Sequence, residues 1–530
     1  MPKRNATENI ASSAAKTAYI LYGGQIFAII ISLATFVALA RLLGPGSYGL
    51  YAFAISFAAI IGGFRNFGIG AYLSKEISKN LHSNDVDGIS RAISSGLALL
   101  FVLAFILTLI GLGLSGVVAN VLFGSIGISV LSLILASMTI FFMMFQNAAI
   151  MGLIGISRPK AAAVATILID AVQLISILLL LHYGFGVNGA LFGMLIGYIV
   201  GAVIATAYLV RVASTHAGFR IYIPSKKELK HAFSFAAPIG AVNMLNQVMQ
   251  NASVLILGLF VSAEILGNYG AALKGLAFTS VITTTLSSIL IPVFSKVAAG
   301  KSDAASRDAT YDKVVRYSLM LTLPILIYIG VMANPGVHIL LSNKYAYAPL
   351  YLTLISFGIA ISLVSISIGS LIISRGVTRR YLYYSAITSA IELISAVVLV
   401  PYFKVVGVIV AVFVIGSIVS NALFIKLSRE KLKAKLNYGK IYLLLLSNFI
   451  LAVPMYAALL VPNYAAELVA GIVILLIAYP AILAFLRLVD KKDLDRIANS
   501  TSKIMYLSSA VDYFCRYTKF FVEKVGAADA

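Results

Sequence analysis

The sequence predicts an all-α integral membrane protein with about fourteen transmembrane helices and an internal duplication. Hydrophobic residues make up 61% of the 530-residue chain, charged residues make up 11%, and the mean hydropathy is +0.99. Soluble domains carry roughly 25% charged residues, so an ordinary soluble fold is excluded. The apolar runs also lack the two-residue alternation of a membrane β-barrel, which leaves helices as the way to cross the bilayer.

Fourteen stretches have the roughly 20 mostly apolar residues that a spanning helix needs. They are 18–40, 48–72, 92–115, 127–156, 160–181, 187–210, 232–260, 266–295, 314–333, 349–374, 381–402, 405–425, 441–461 and 465–486. The first stretch is long, follows Lys3, Arg4 and Lys16, and lacks a clear small-residue cleavage site. We therefore interpret it as a retained span and not as a signal peptide.

The basic residues orient the chain. With a cytoplasmic N-terminus, 35 of the 40 lysines and arginines fall in cytoplasmic segments, Arg41, Lys344 and Lys404 fall outside, and Arg65 and Lys274 lie within spans. This asymmetry follows the positive-inside rule and predicts a multi-pass protein of the cell membrane with both termini in the cytoplasm. The net charge of +21 then indicates attraction to anionic membrane lipids, and without a recognisable binding module we expect no nucleic-acid partner.

Short identities recur at nearly constant spacing and indicate a duplication. Two dipeptides recur 221 residues later and one tetrapeptide recurs in similar form 219 residues later. The pairs are Tyr48-Gly49 with Tyr269-Gly270, Ser74-Lys75 with Ser295-Lys296, and Gln173-Leu174-Ile175-Ser176 with Glu392-Leu393-Ile394-Ser395. Repeated membrane halves are typical of transporters, in which two similar parts move about a binding site.

The sequence offers little to an enzyme or a metal site. Cys515 is the single cysteine and the five histidines lack metal-ligand spacing, so we expect no metal, no cofactor and no catalytic residue. The predicted external connections are short, apart from the stretch near Asn334 to Ala348, and leave no domain for a catalytic pocket. A membrane glycan polymerase or ligase would need an external carboxylate, for which Glu264 and Glu467 are the only candidates.

Four charged residues stand out deep within predicted spans, where a charge costs roughly 3 kcal/mol or more. At 1.5 Å per residue, Lys274 lies about 12 Å from the external end of its span, and Asp170 and Glu392 lie about 14 to 17 Å deep. Arg65 lies about 25 Å along its span, near the cytoplasmic interface. Lys274 and Arg65 are candidate anion-binding residues, the alternatives being a buried ion pair and a snorkelling arginine. Asp170 and Glu392 are candidates for proton or ion coupling, or they only pack between the halves.

Amide side chains form a second candidate feature. Gln25 and Asn246 correspond at the 221-residue offset, and a polar stripe lies on one face of the predicted seventh span. The residues of the stripe are Asn243, Asn246, Gln247 and Gln250. Such a stripe suits the wall of a wet cavity that binds hydroxyl-rich cargo, or it supplies hydrogen bonds between helices.

Several ordered motifs resemble the polysaccharide-exporter, lipid-linked oligosaccharide flippase branch of the multidrug/oligosaccharidyl-lipid/polysaccharide (MOP) flippase superfamily. They are Arg41-Leu42-Leu43-Gly44-Pro45, Tyr48-Gly49-Leu50-Tyr51, Gly186-Val187-Asn188-Gly189-Ala190, Gly267-Asn268-Tyr269 with Ala272 and Lys274, and Ile291-Pro292-Val293-Phe294-Ser295-Lys296. The resemblance covers about residues 15–486. It implies a V-shaped carrier with two pseudo-symmetric six-helix lobes, two appended C-terminal helices and alternating access to a central cavity.

The resemblance also implies a cargo and a set of boundaries. The cargo of that branch is a polyprenyl-linked oligosaccharide moved from the cytoplasmic to the external leaflet, and Lys274 and Arg65 would contact its phosphate. The sequence leaves the oligomeric state open and is compatible with a monomer. The expected segments are an N-terminus at 1–17, an N-lobe at 18–211, a linker at 212–231, a C-lobe at 232–426, a second linker at 427–440, the last two spans at 441–487 and a cytoplasmic amphipathic tail at 488–530.

Two departures bear on the alternatives. The first span holds Gln25 where cation-coupled drug exporters of the superfamily have an acidic residue, which disfavours a multidrug antiporter without excluding it. Lipid-linked peptidoglycan flippases have more cavity arginines than this chain provides.

The C-terminal tail has the pattern of an amphipathic helix at the membrane interface. Six apolar residues share one helical face: Ile504, Leu507, Val511, Phe514, Phe521 and Val525.

Overall fold

The computed structural model describes residues 2–63, 68–122, 126–217, 222–276, 304–375, 377–432, 436–489 and 515–523, with the single residues 290, 294 and 494. Within these ranges every regular element is a helix, as the sequence predicts. The chain divides into two compact units, Met1–Gly270 and Ala271–Ala530. The lobe boundaries predicted from the sequence repeat remain a prediction.

The first unit is built from long helices. These are α1 (Pro2–Ile61), α2 (Ile69–His82), α3 (Val86–Leu122), α4 (Val130–Gly155), α5 (Pro159–His182), α6 (Gly186–Ala217), α7 (Lys226–Gly258) and the greater part of α8 (Ala263–Gly275). Helix α7 begins at a capping box, in which the Ser225 hydroxyl accepts from the Glu228 N–H at 3.3 Å and the Glu228 carboxylate accepts from the Ser225 N–H at 2.8 Å. This reciprocal pair satisfies two backbone donors that a helix start otherwise leaves unpaired.

Helix α1 contains the first predicted span and most of the second without an intervening loop. Gly44 has φ 72° and ψ 171°, a non-helical conformation inside the helix. Glycine enters the positive-φ region at little cost, and Pro45 after it has no N–H to donate to the preceding turn. The chain therefore bends between the two apolar stretches at Gly44.

Helices α5 and α6 pack through glycines spaced four residues apart on α6. A Cβ atom at each of these glycines would lie between 2.7 and 2.9 Å from an atom of α5, closer than real Cβ contacts come. The pairs are Gly193 with Ile177, Gly197 with Gln173 and Gly201 with Ile169. Small residues bring helix backbones together in a bilayer, where no hydrophobic driving force acts between helices.

The second unit continues from the end of α8. Its further helices are α9 (Ala304–Val331), α10 (Ala333–Leu340), α11 (Ala348–Ser374), α12 (Thr378–Ile409), α13 (Gly416–Leu427), α14 (Tyr438–Tyr456) and α15 (Tyr464–Phe485), followed by a helical segment at 515–523. Lys404 interrupts α12 with φ 51° and ψ −125°, three residues after Pro401. A π-helical turn, Val410–Ile415, joins α12 to α13.

Ten helical ranges among the described residues are long and apolar enough to cross a membrane, which makes this a multi-pass membrane protein. Two of them, Phe27–Ile61 and Arg379–Glu430, each hold parts of two predicted spans joined at a bend. The predicted seventh span corresponds to α7, which is rich in amides, and the predicted eighth span begins with α8 and continues outside the described residues. The total of fourteen spans and the cytoplasmic termini stay predictions.

A buried ion pair ties distant parts of the second unit together. Arg316 Nε lies 2.8 Å from Asp312 Oδ2, and the two side chains are 8% and 12% exposed. The other Asp312 oxygen accepts from the Asn437 N–H at 2.7 Å, just before α14, and Arg316 also donates to the Leu488 carbonyl at 3.5 Å, just after α15. Each charge is thus paired and hydrogen-bonded, which is the condition for stable burial.

Breaking this pair should destabilise the protein strongly. We expect Asp312→Asn to lower the free energy of unfolding by about 3–5 kcal/mol, because it leaves the Arg316 guanidinium buried and uncompensated. The measurement is thermal unfolding in detergent. The control is Glu430→Gln, which breaks the exposed Lys426–Glu430 pair (62% and 48% exposed) and should cost less than about 1 kcal/mol. Equal losses in the two variants would contradict a structural role of the buried pair.

Candidate functional site

The repeated tyrosine-glycine motifs meet in the first unit. The four residues Gly46-Ser47-Tyr48-Gly49 on α1 correspond to Gly267-Asn268-Tyr269-Gly270 on α8, and both tyrosine side chains are buried. A Cβ on Gly49 would overlap the Ala263 carbonyl, and one on Gly267 would overlap the Pro45 carbonyl. The two helix backbones therefore touch, and glycine is needed on both sides of the crossing.

The second repeated motif is reproduced as a pair of matching contacts. Gln173 of α5 packs on Gly197 of α6, where a glycine Cβ would lie 2.7 Å from the glutamine Cβ. In the second unit, Glu392 of α12 packs on Gly416, and a Cβ there would overlap the carboxylate. Glu392 follows Gln173, and Gly416 follows Gly197, at the same offset of 219 residues. The duplication therefore preserves a side-chain contact while an amide in one half is replaced by a carboxylate in the other.

Glu392 is half-buried beside an irregular stretch of helix. The π-helical turn Val410–Ile415 ends directly before Gly416. Turns of this kind inside α-helices occur frequently at functional sites. In the described part of the chain, no basic side chain lies within 4.0 Å of Glu392 or of Asp170, which is half-buried on α5. These carboxylates are consequently not held as ion pairs with any described residue.

Gln146 of α4 is a polar residue that the sequence analysis missed. Its Oε1 atom is buried and has no hydrogen-bond partner among the described residues. It lies next to Gly201, where a glycine Cβ would be 3.2 Å from Oε1 and 2.9 Å from Ile169, the neighbour of Asp170 in sequence. An unpaired buried acceptor costs about 1–3 kcal/mol. The signal in the sequence is the amide pair Gln146-Asn147 inside a predicted span.

Part of the amide stripe on α7 makes hydrogen bonds within the helix. Asn251, one further step along the stripe, donates from Nδ2 to the Gln247 carbonyl at 2.8 Å and to Gln247 Oε1 at 3.4 Å. Gln247 also packs against Gly63, and Gln250 is exposed. Asn243 is half-buried, while the side chain of Asn246 lies outside the described residues. Asn251 belongs to this stripe and was recognisable from its four-residue spacing to Gln247.

Lys274 lies in the last turn of α8 with its side chain exposed. Its neighbours Ala272 and Leu276 are buried, so the lysine lies on the opposite, exposed side of the helix. Arg65 falls at 64–67, outside the described residues, and Gln25 lies on α1 with its side chain likewise outside them. Their proposed contacts with substrate stay predictions.

Comparisons with known proteins agree with this architecture. A model of the polysaccharide biosynthesis protein family matches residues 14–298. The fold is similar to that of the lipid II flippase MurJ in an inward closed conformation, with a TM-score of 0.66, 13% identity, and coverage of 88% of this chain and 99% of that one. No protein of curated function matches the sequence.

Two further solved structures belong to the MOP superfamily by their descriptions. An inward-facing multidrug resistance MATE family transporter has a TM-score of 0.62 and 16% identity, with coverage of 75% of this chain and 93% of that one. A MOP superfamily transporter from Pyrococcus furiosus has a TM-score of 0.55 and 14% identity, with coverage of 79% and 97%. At such identities these likenesses concern the fold alone.

The contact between Gly416 and Glu392 can be tested by a double-mutant cycle. We expect Gly416→Ala to cost about 1–3 kcal/mol of unfolding free energy, because overpacking displaces the carboxylate. In a Glu392→Ala background the same substitution should cost much less, since the space has been cleared. Gly113→Ala on α3 is the control, because nothing lies within 4 Å of its Cβ position. Equal costs of Gly416→Ala in both backgrounds would argue against the contact.

Proposed function

Because the chain belongs to the polysaccharide biosynthesis protein family and has the fold of MOP superfamily transporters, we propose that it is a flippase. Its cargo would be a polyprenyl-(pyro)phosphate-linked oligosaccharide, moved from the cytoplasmic to the external leaflet of the cell membrane by alternating access. The product would serve cell-surface polysaccharide or glycoprotein biosynthesis. The observation that carries this proposal is the family match over residues 14–298.

The exposed position of Lys274 supports an anionic cargo. An ammonium group on the exposed side of a predicted span costs roughly 3 kcal/mol or more if that side faces acyl chains. The cost falls if that side faces a hydrated path. A phosphate or pyrophosphate passing along such a path needs a cation, and lysine is a common phosphate ligand. Arg65 would supply a second contact nearer the cytoplasmic side.

The amide residues support a glycan as the other part of the cargo. Sugar hydroxyls both donate and accept hydrogen bonds, and asparagine and glutamine side chains can do the same. Gln247 and Asn251 are already bonded along α7, whereas Gln250 is exposed. We assign Gln250, together with Asn243, Asn246 and Gln25, to contacts with the oligosaccharide.

A cation-coupled multidrug or small-molecule antiporter is the second candidate. It is favoured by Asp170 and Glu392, which are half-buried without a basic partner among the described residues. Carboxylates within a membrane commonly take part in proton or ion relays. The same carboxylates would also serve to couple flipping to an ion gradient. They therefore bear on the energy source of transport and do not distinguish a drug from a glycan-lipid as the cargo.

A membrane glycan polymerase or ligase finds less support. Of the two external carboxylates predicted to be available, Glu467 is only 6% exposed, which makes it a poor general acid or base for an external glycan. Glu264 is exposed at the start of α8. A transport role therefore fits the described residues better.

Replacement of Lys274 tests the flippase proposal. In vesicles holding the purified protein and a labelled polyprenyl-linked oligosaccharide, Lys274→Ala should slow leaflet transfer about 10- to 100-fold, equivalent to about 1.5–3 kcal/mol for a lost charged hydrogen bond. Lys274→Arg should retain more activity because it keeps the charge. The control is Lys344→Ala, which removes an exposed lysine from a predicted external segment. Normal transfer by a folded Lys274→Ala variant would remove the lysine from the mechanism.

The role of the carboxylates is tested by the ion dependence of transport. Glu392→Gln should fold normally, since Gln173 occupies the matching contact in the first half, but it should abolish stimulation by a proton or sodium gradient. Asp170→Asn is tested in parallel, and Glu264→Gln at an exposed site serves as the control. Drug efflux that depends on either carboxylate would favour the antiporter. Unchanged gradient stimulation in both variants would exclude coupling through these groups.

A further inference from the structure

The helical segment at 515–523 has one side built into the second unit. Cys515 is 2% exposed and Thr518 is fully buried. Cys515 belongs to the same buried cluster as Leu488, Val489 and Leu494, and Val522 packs against that cluster. Positions 515, 518 and 522 follow the three- and four-residue spacing of one helix face. This inner face is therefore occupied by protein.

The buried cluster includes residues next to the ends of α14 and α15. Leu488 and Val489 follow directly on the end of α15 at Phe485, and Leu436, also in the cluster, precedes the start of α14 at Tyr438. Both helices are long and apolar enough to span a membrane. The ends of such helices lie at the boundary between hydrocarbon and water. The segment 515–523 packs into a cluster that extends to that boundary, and the sequence predicts that the tail lies on the cytoplasmic side.

The outer face of the segment combines aromatic and basic side chains. Phe520 is 50% exposed, and Arg516, four residues before it, is exposed. The aromatic rings form a group, with Tyr517 and Phe521 centroids 5.0 Å apart and Phe520 and Phe521 centroids 5.5 Å apart. Lys519 is half-buried, and Glu523 is an exposed acid on the same side. Aromatic rings flanked by basic residues are typical of surfaces in the headgroup region of a membrane.

We propose that the segment 515–523 binds anionic lipid headgroups with its outer face while its inner face stays docked in the second unit. Phe520 inserts at the acyl boundary, and Arg516 and Lys519 contact lipid phosphates. The segment then attaches the second unit to the membrane surface. This role is independent of the cargo, so it stands or falls separately from the proposed flippase activity.

The chain lacks tryptophan, so Phe520→Trp creates a single fluorescent reporter. The protein is reconstituted in membranes of anionic or zwitterionic lipid whose acyl chains are brominated near the headgroup. In anionic membranes we expect strong quenching by the brominated lipid and little quenching by acrylamide. Phe485→Trp, at the exposed last residue of α15, is the positive control for quenching by lipid.

The anionic preference is tested in the same reporter with Arg516→Glu and Lys519→Glu together. Quenching by brominated lipid should fall at least severalfold in that variant, and also when zwitterionic lipid replaces anionic lipid. Free access of acrylamide to Trp at position 520 in anionic membranes would overturn the proposal. Shielding from acrylamide without lipid quenching would assign the outer face to a protein contact and would overturn it as well.

Docking of the inner face is followed at the same time through Cys515, the single cysteine of the chain. Its thiol should react slowly with a maleimide in the folded protein and fast after denaturation, because the side chain is buried. Slow reaction in the charge-reversed variant shows that the helix is still docked, so that its loss of quenching reports lipid contact. Equally fast reaction in the folded wild-type protein would contradict the docked arrangement from which the proposal starts.

Discussion

The hydrocarbon interior of the bilayer is the constraint on which this molecule depends. It offers no water to backbone N–H and C=O groups, so each span must be helical, and it offers no hydrophobic force to press helices together. Close approach of small residues supplies the packing instead. Gly197, Gly201 and Gly416 each receive a side chain from a neighbouring helix, and Gly49 and Gly267 bring two backbones into contact. These close contacts also position polar side chains within the spans, since Gln173 packs on Gly197 and Glu392 packs on Gly416.

The duplication has kept this packing and changed its chemistry. Gln173 and Glu392 occupy matching contacts on Gly197 and Gly416, and an uncharged glutamic acid has nearly the shape of glutamine. The first half therefore holds a side chain that cannot ionise where the second half holds one that can. Only the second half has a π-helical turn, Val410–Ile415, directly before this glycine among the described helices. A repeated packing contact thus carries a different chemical group in each half.

The sequence predicted those features that depend on residues close together along the chain, and it did not predict contacts between distant residues. The membrane class, the positions of the apolar stretches and the repeated motifs follow from hydropathy and spacing, and the structure bears out the helical class. The sequence predicted separate spans on either side of Gly44 and of Lys404, and it did not predict that each pair is joined by a bend in one helix. Hydropathy marks a break between two apolar stretches, but it does not show whether a loop or a bent helix joins them. The contacts of Asp312 and Arg316 with Asn437 and Leu488 join residues 125 and 172 positions apart, and no local pattern announces them. The same holds for Cys515, because an apolar helix face looks alike whether it meets lipid or protein.

The candidate site shows where sequence reasoning is strongest and weakest. A charge or amide within an apolar stretch is easily recognised in a sequence, because placing such a group in the bilayer costs free energy. Lys274, Asp170, Glu392 and the α7 amides were found in that way. The role of such a group depends on its neighbours in space. Asn251 bonds to Gln247 on its own helix, which leaves these two side chains fewer bonds to offer a cargo, whereas Gln146 keeps a buried oxygen without a described partner. A transported glycan-lipid places two separate demands on such groups: neutralisation of its phosphate, which only a cation meets, and a supply of energy, which a carboxylate can link to an ion gradient. In the proposed function Lys274 would meet the first demand and Glu392 the second, and the same helices could serve either an exporter of glycan-lipid or an ion-coupled antiporter.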